Sequence, residues 1–193
     1  MFLEGERVRL RPAEVTDTPR FLPWINDPEV RHLLGAAAYQ YSLAAEEEFI
    51  RSRQENSWEA GVFLVIEAMD ADDEPRTIGN LEARRLHAES RHAEIGILIG
   101  DREYWGRGYG EDAMRTLCRF LFEELDLHRV YLSVLEFNPR ARRSYEKVGF
   151  VEEGRKREHA FIAGRYYDVI EMGLLRREFE AREAARPAAP ARA

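Results

Sequence analysis

The chain has 193 residues, 45% of them hydrophobic and 11% aromatic, enough for one folded domain with a substantial core. Its net charge of −7 argues against a basic nucleic-acid footprint, and its single cysteine, Cys118, excludes an internal disulfide framework and a cysteine-based zinc site. No apolar stretch approaches the ~20 residues that span a bilayer, and "MFLEGERVRLRP" is charged by its fourth residue, unlike a signal peptide. A cytoplasmic enzyme or binding protein is expected, with no nucleic acid, membrane or metal as partner, and as a monomer or homodimer.

"RVRLRP" (7–12) alternates and predicts a first strand. Thr16 or Asp17 can cap a helix through "TPRFLPWIN", with Pro19 in its first turn. "NDPEV" marks a break and "LLGAAAYQY" an uncharged loop. Ser42 then opens a helix in "SLAAEEEFIRSRQEN" with a capping-box pattern. "VFLVIEA" (62–68), "TIGNLEARRL" and "HAEIGILIG" predict three strands, the first pair joined by a turn at "DADDEP" (70–75). Together with the first strand they suggest an antiparallel meander.

A helix over 111–125 carries Met114, Leu117, Cys118, Leu121 and Leu125 at helical spacing, which assigns Cys118 to the core. "RVYLSVL" (129–135) follows a helix and should run parallel to the strand before it. "NPRARRSYEKV" (138–148) predicts a helix with Asn138 as cap, Pro139 at its first position and Gly149 at its end. "FVEEGRKREHAFI" and "RYYDVIEMGLL" flank Ala163-Gly164 and predict a hairpin. The sum is a mixed α+β sheet of about seven strands, antiparallel but for one central parallel step. It forms a single domain over residues 1–178, with a frayed Ala/Arg/Pro-rich tail over 179–193.

The stretch "EYWGRGYGED" (103–112) sits between a strand and a helix, with glycines at 106, 108 and 110. It lacks the Gly-Lys-Ser/Thr of a Walker A loop. A dinucleotide fingerprint needs a third glycine where Glu111 stands, and no acidic ribose binder follows in the strand from Arg129 to Leu135. Two readings stay open from these residues. One is a tight turn, with Glu111 and Asp112 satisfying the helix dipole. The other is an anion cradle of backbone amides from residues 107–112, aided by Arg107.

"ILIGDREYWGRGYGEDAM", followed one helix and one strand later by "NPRARRSYEKVGF", resembles the GCN5-related N-acetyltransferase (GNAT) superfamily, and in particular its ribosomal-protein alanine/serine N-acetyltransferase group. The resemblance covers roughly residues 7–178. It departs at Trp105, where the family has Gln or Arg. It implies acetyl-CoA as co-substrate and a sheet whose central parallel pair splays apart, with helices on both faces. Residues Trp105, Gly106, Arg107, Gly108, Tyr109, Gly110 and Glu111 would then cradle the CoA pyrophosphate. Ile97, Leu98 and Ile99 would offer backbone groups to the pantetheine arm, with a bulge allowed at Gly96. Asn138, besides capping its helix, and Arg143 would contact CoA. Tyr145 would act as general acid toward the leaving thiolate, the alternative being a ring packed against "VGF".

The attacking amine must lose a proton, and Glu94 is the first candidate base, Glu82 the second; both can also be read as plain strand residues. No covalent nucleophile is needed. The acceptor is expected to be a protein N-terminus or small amine. A polyamine or amino sugar is the alternative, ranked lower because "LLGAAAYQYSL" holds no carboxylate. A reading of another class is a non-catalytic acyl-CoA sensor, against which Tyr145 speaks.

Overall fold

A computed structural model describes residues 2–35, 39–70 and 74–186. Its elements in chain order are β1 (Leu3–Glu4), β2 (Val8–Pro12), α1 (Thr18–Asn26), α2 (Pro28–Leu34), α3 (Leu43–Ser52), β3 (Val62–Ala68), β4 (Arg76–His87) and β5 (His92–Ile99). These are followed by α4 (Tyr109–Glu123), β6 (Arg129–Leu135), α5 (Pro139–Val148), β7 (Val151–Ile162), β8 (Arg165–Leu175) and α6 (Arg176–Ala184). One sheet runs β1-β2-β3-β4-β5-β6-β8-β7. Every described pairing is antiparallel except β5 with β6. The mixed sheet with one parallel step is therefore as expected, with the short β1 added at one edge.

The sheet separates two cores. Val62, Leu64 and Ile66 of β3 face the larger core with Met114, Leu117, Cys118, Leu121 and Phe122 of α4. Phe63 and Val65 face the smaller one, with Phe21 of α1 and Ile50 of α3. Burial on both faces explains why β3 reads as a continuous apolar run rather than an alternation. Each fully buried Leu or Phe here contributes about 1.5–3 kcal/mol of transfer free energy.

Three local expectations change. "NDPEV" does not merely interrupt the chain. Asp27 ends α1 and accepts the amides of Glu29 (2.9 Å) and Val30 (3.1 Å), so it starts α2. Leu33 and Leu34 of the expected loop therefore belong to a helix, while residues 36–38 lie outside the described residues. The turn at 70–75 falls partly on residues 71–73, also outside them. Fraying does not begin at residue 179. Phe179 is buried on α6, its ring 5.4 Å from that of Phe122, and together with Glu183, which pairs with Arg115 and Arg119 of α4, it docks a helix with no continuous apolar stripe. Residues 187–193 lie outside the described set.

Candidate active site

The central feature is a gap in the sheet. β5 and β6 pair only at His92–Arg129, Ala93–Val130 and Glu94–Tyr131. β4 follows β5 as far as Ile99, so one edge of residues 95–99 is left without a strand partner. Backbone groups alternate along a strand. The Leu98 carbonyl points at β4, since a Cβ built on Gly79 would lie 2.0 Å from its oxygen. Ile97 and Ile99 therefore present their backbone groups to the gap and Leu98 does not. The Ile99 carbonyl is already engaged, because the Trp105 indole N–H donates to it at 2.6 Å. Ile97 is left as the residue with both groups open toward the gap. Gly96 holds no bulge: the β4–β5 register runs unbroken from Gly79–Ile99 to Arg84–Glu94 and shifts only between Arg84 and His87.

Below the gap lies the glycine stretch. Gly106 (φ 72°) and Gly108 (φ 91°) adopt left-handed backbone, and Gly108 caps α4. The amides of residues 106–111 donate to no group among the described residues; the first to do so is Asp112, to the Gly108 carbonyl at 3.0 Å. Nothing lies within 4 Å of a Cβ built on Gly106. This is a run of unpaired donors at a helix N-terminus with open space before it, the arrangement that holds a phosphate.

The acidic side chains at the helix start are turned elsewhere. Glu111 accepts from Arg115 at 2.7 Å. Asp112 is buried and accepts the amides of Glu6 (3.1 Å), Arg7 (2.7 Å) and Val8 (3.1 Å), which ties the N-terminal strands to α4. The side chains of Arg107 and Tyr109 are both engaged within the chain. The Arg107 guanidinium donates to the Glu103 carbonyl at 3.2 Å and lies against the Tyr104 and Tyr109 rings. Tyr109 is fully buried, its hydroxyl between Asp70 and Arg7.

Helix α5 forms the other wall. Asn138 caps it through Ala141 N–H (3.1 Å) and lines the cavity, so the capping reading holds whatever else its amide contacts. Arg142 is paired with Glu146 and Glu152, whereas Arg143 is exposed at the cavity and forms no ion pair among the described residues. Arg140 stacks on the Trp105 ring, 3.6 Å from its centroid. Tyr145 is buried, lines the cavity, and its hydroxyl makes no hydrogen bond among the described residues. Burial pushes the phenol up to about 12, so it is fully protonated at neutral pH.

On the opposite face of the sheet, paired residues bring Glu82, Arg84, Glu94 and Gly96 together. Both Glu94 oxygens are taken, by Arg84 at 2.8 Å and Arg85 at 2.6 Å. Burial alone would raise this carboxyl, but the hydrogen bond and charge of Arg84, with the charge of Arg85, hold it below the ordinary carboxylate range. Glu82 is held less firmly: one oxygen accepts from Arg84 at 2.6 Å, and the other is buried without a hydrogen-bond partner among the described residues. Gly96 stands directly across the ladder from Glu82; a Cβ there would sit 3.6 Å from Glu82 Oε1, the oxygen that Arg84 binds. Glu82, Glu94, Tyr145, the glycines and α1–α3 all border one cavity of 960 Å³.

Residues 7–151 match the family model of the acetyltransferase (GNAT) domain. The chain belongs to the GNAT acetyltransferase family. An SPβ prophage-derived uncharacterized N-acetyltransferase of Bacillus subtilis is 40% identical over 177 residues, 91% of this chain and 94% of that one. The spermidine N(1)-acetyltransferase of Vibrio cholerae is 37% identical over 108 residues; this stretch is 56% of this chain and 62% of the relative, less than two thirds of its length. The crystal structure of spermidine N-acetyltransferase from Vibrio cholerae, in complex with CoA and spermine, has a TM-score of 0.80 at 28% identity, covering 91% of this chain and 99% of that one.

In this GNAT chain the motif residues were visible in the sequence because glycine spacing, a helix cap and a tyrosine are local signals. Two features were not. The indole of Trp105 fills the edge of β5 and carries Arg140, a contact across α4 and β6 that no spacing announces. Glu46 of α3 is 6% exposed and lines the cavity, although its neighbours Glu47 and Glu48 in "AEEEF" are open to solvent or nearly so. The signal available was its helical position four residues before the buried Ile50. Cys118 lies in the core as expected, and burial raises its thiol far above the reactive range.

Proposed function

We propose that the protein transfers acetyl from acetyl-CoA to the primary amine of a small cationic acceptor by direct attack. The observation that carries this reading is the convergence on one cavity of three things: the unpaired amides of residues 106–111, the open edge of β5, and a protonated Tyr145. When bound, acetyl-CoA supplies an acetyl thioester. The amides and glycines of the cradle suit its pyrophosphate, Ile97 pairs with an amide-bearing arm as an added strand would, and Arg143 is free to meet a phosphate.

The protons are handled by two groups on opposite sides of the gap. The Tyr145 phenol can donate to a departing thiolate, which needs no change in its ordinary protonation state. Glu82 takes a proton from the incoming ammonium, directly or through one water, because it lines the cavity and its second oxygen, Oε2, has no hydrogen-bond partner among the described residues. Glu94, held by two guanidiniums, positions Arg84 and with it Glu82. Support for a small amine over a protein N-terminus comes from the buried carboxylates facing the α1–α3 wall, and from the name of the Vibrio cholerae relative.

The test is an acceptor panel read by thiol release, with CoA, ATP and NAD compared by thermal shift. CoA is expected to raise Tm by several degrees and ATP or NAD little. The reverse order would overturn the CoA assignment, and no thiol release with any amine would favour a binding role without turnover.

A further inference from the structure

Glu46 is a buried carboxylate in the first turn of α3, with no ion-pair partner among the described residues. A carboxylate on α3 could be solvated, as Glu48 is at 74% side-chain exposure. Instead Glu46 is 6% exposed, and its side chain forms no hydrogen bond or ion pair among the described residues. Burial raises its carboxyl above the usual range with no cation to oppose it. A charge buried this way is tolerated when its partner arrives from outside. The cavity is the route, since Glu46 lines it.

Glu46 reaches the cavity from α3 and Glu82 from β4. Phe63, the register partner of Glu82 on β3, stands on the same face of the sheet and meets Phe49 of α3 edge-on, with ring centroids 5.7 Å apart. Both carboxylates line the cavity, and Phe63 packs in one apolar cluster with Phe21 and Ile50. Resting on the acetyltransferase reading above, we propose that Glu46 is a specificity-determining residue that holds a second cationic group of the acceptor. The acceptor is then a doubly cationic amine whose aliphatic spacer lies against Phe63 and Phe49 while its reacting end reaches Glu82 and Tyr145. That chemistry could come from an α,ω-diamine or from a peptide whose N-terminal residue is followed by lysine.

The experiment measures kcat/KM for α,ω-diamines of graded length, for monoamines of matched length, and for paired peptides with lysine or alanine in second place, using the full chain and its E46Q variant. In the wild type, the best dication should exceed its matched monocation about tenfold or more, mainly through KM, the size expected for one charge-assisted hydrogen bond. E46Q should collapse that ratio toward one. The arm showing the ratio identifies the source. A wild-type ratio near one, or a ratio unchanged in E46Q, overturns the proposal. A second readout is thermal: without acetyl-CoA, the preferred diamine should raise the Tm of the wild type and not that of E46Q. Failure of the acetyltransferase reading is distinguishable, since no amine of either kind would then release thiol and CoA would not shift Tm.

Discussion

Replacing Tyr145 by phenylalanine separates its two roles, because the structure gives the hydroxyl no partner to abandon. The ring is buried, its centroid 6.2 Å from that of Phe150, and phenylalanine keeps that packing. No donor or acceptor is orphaned, so the change in stability should stay within about 1 kcal/mol, or about 2–4 °C in Tm for a chain of this size. The loss of a positioned general acid should lower kcat about 10²–10⁴-fold, equivalent to about 2.7–5.4 kcal/mol of barrier. Acetyl-CoA affinity should change little, because the cradle lies on α4 and β5. The assay is thiol release at saturating acceptor, with calorimetric titration of acetyl-CoA and a melting curve on the same preparation. The phenol titrates near 12, so no alkaline loss of kcat below about pH 10 should trace to it. A kcat within threefold of wild type would refute the proton-donor role. A collapse of Tm alongside activity would show that the hydroxyl is structural.

Other outcomes test the remaining parts. Glu82→Gln should cut kcat by about 10²-fold or more with an unchanged melting curve, whereas Glu94→Gln should lose about 1–2 kcal/mol of stability, its guanidinium partners being partly exposed and screened. Because the folded Glu94 titrates below its ordinary 4.5, that stability is present above pH ~4.5 and fades as pH falls through the lowered value; acid melting series of wild type and variant should therefore converge at low pH. Asp112→Ala removes a carboxylate shared by three amides and should cost about 3 kcal/mol, or about 6–12 °C in Tm, measurable by calorimetry. Trp105→Phe frees the Ile99 carbonyl and weakens the Arg140 stack; it should cost about 1–2 kcal/mol in denaturant titration and change the KM for acetyl-CoA more than that for the amine.

The sequence by itself determined whatever is written in local chemistry. The strand periods, the Ser42 and Asn138 caps, the Cys118 stripe, the glycine run before α4 and the parallel step after it all follow from spacing and propensity, which act over a few residues. Only the tertiary structure decided where β5 stops pairing with β6, because a splay is set by what packs on either side and leaves no pattern in either strand. It also set Glu82 and Glu94 in different surroundings. Both are acidic residues in strands, and the difference lies in Arg84 and Arg85, which grip one and leave an oxygen of the other free. Tertiary structure likewise turned Trp105 from a departure into a wall of the gap, and Glu46 from one of three glutamates in a row into a buried charge. Partners distant in sequence set burial and charge pairing, and those are the quantities that separate a solvated carboxylate from one that awaits a ligand.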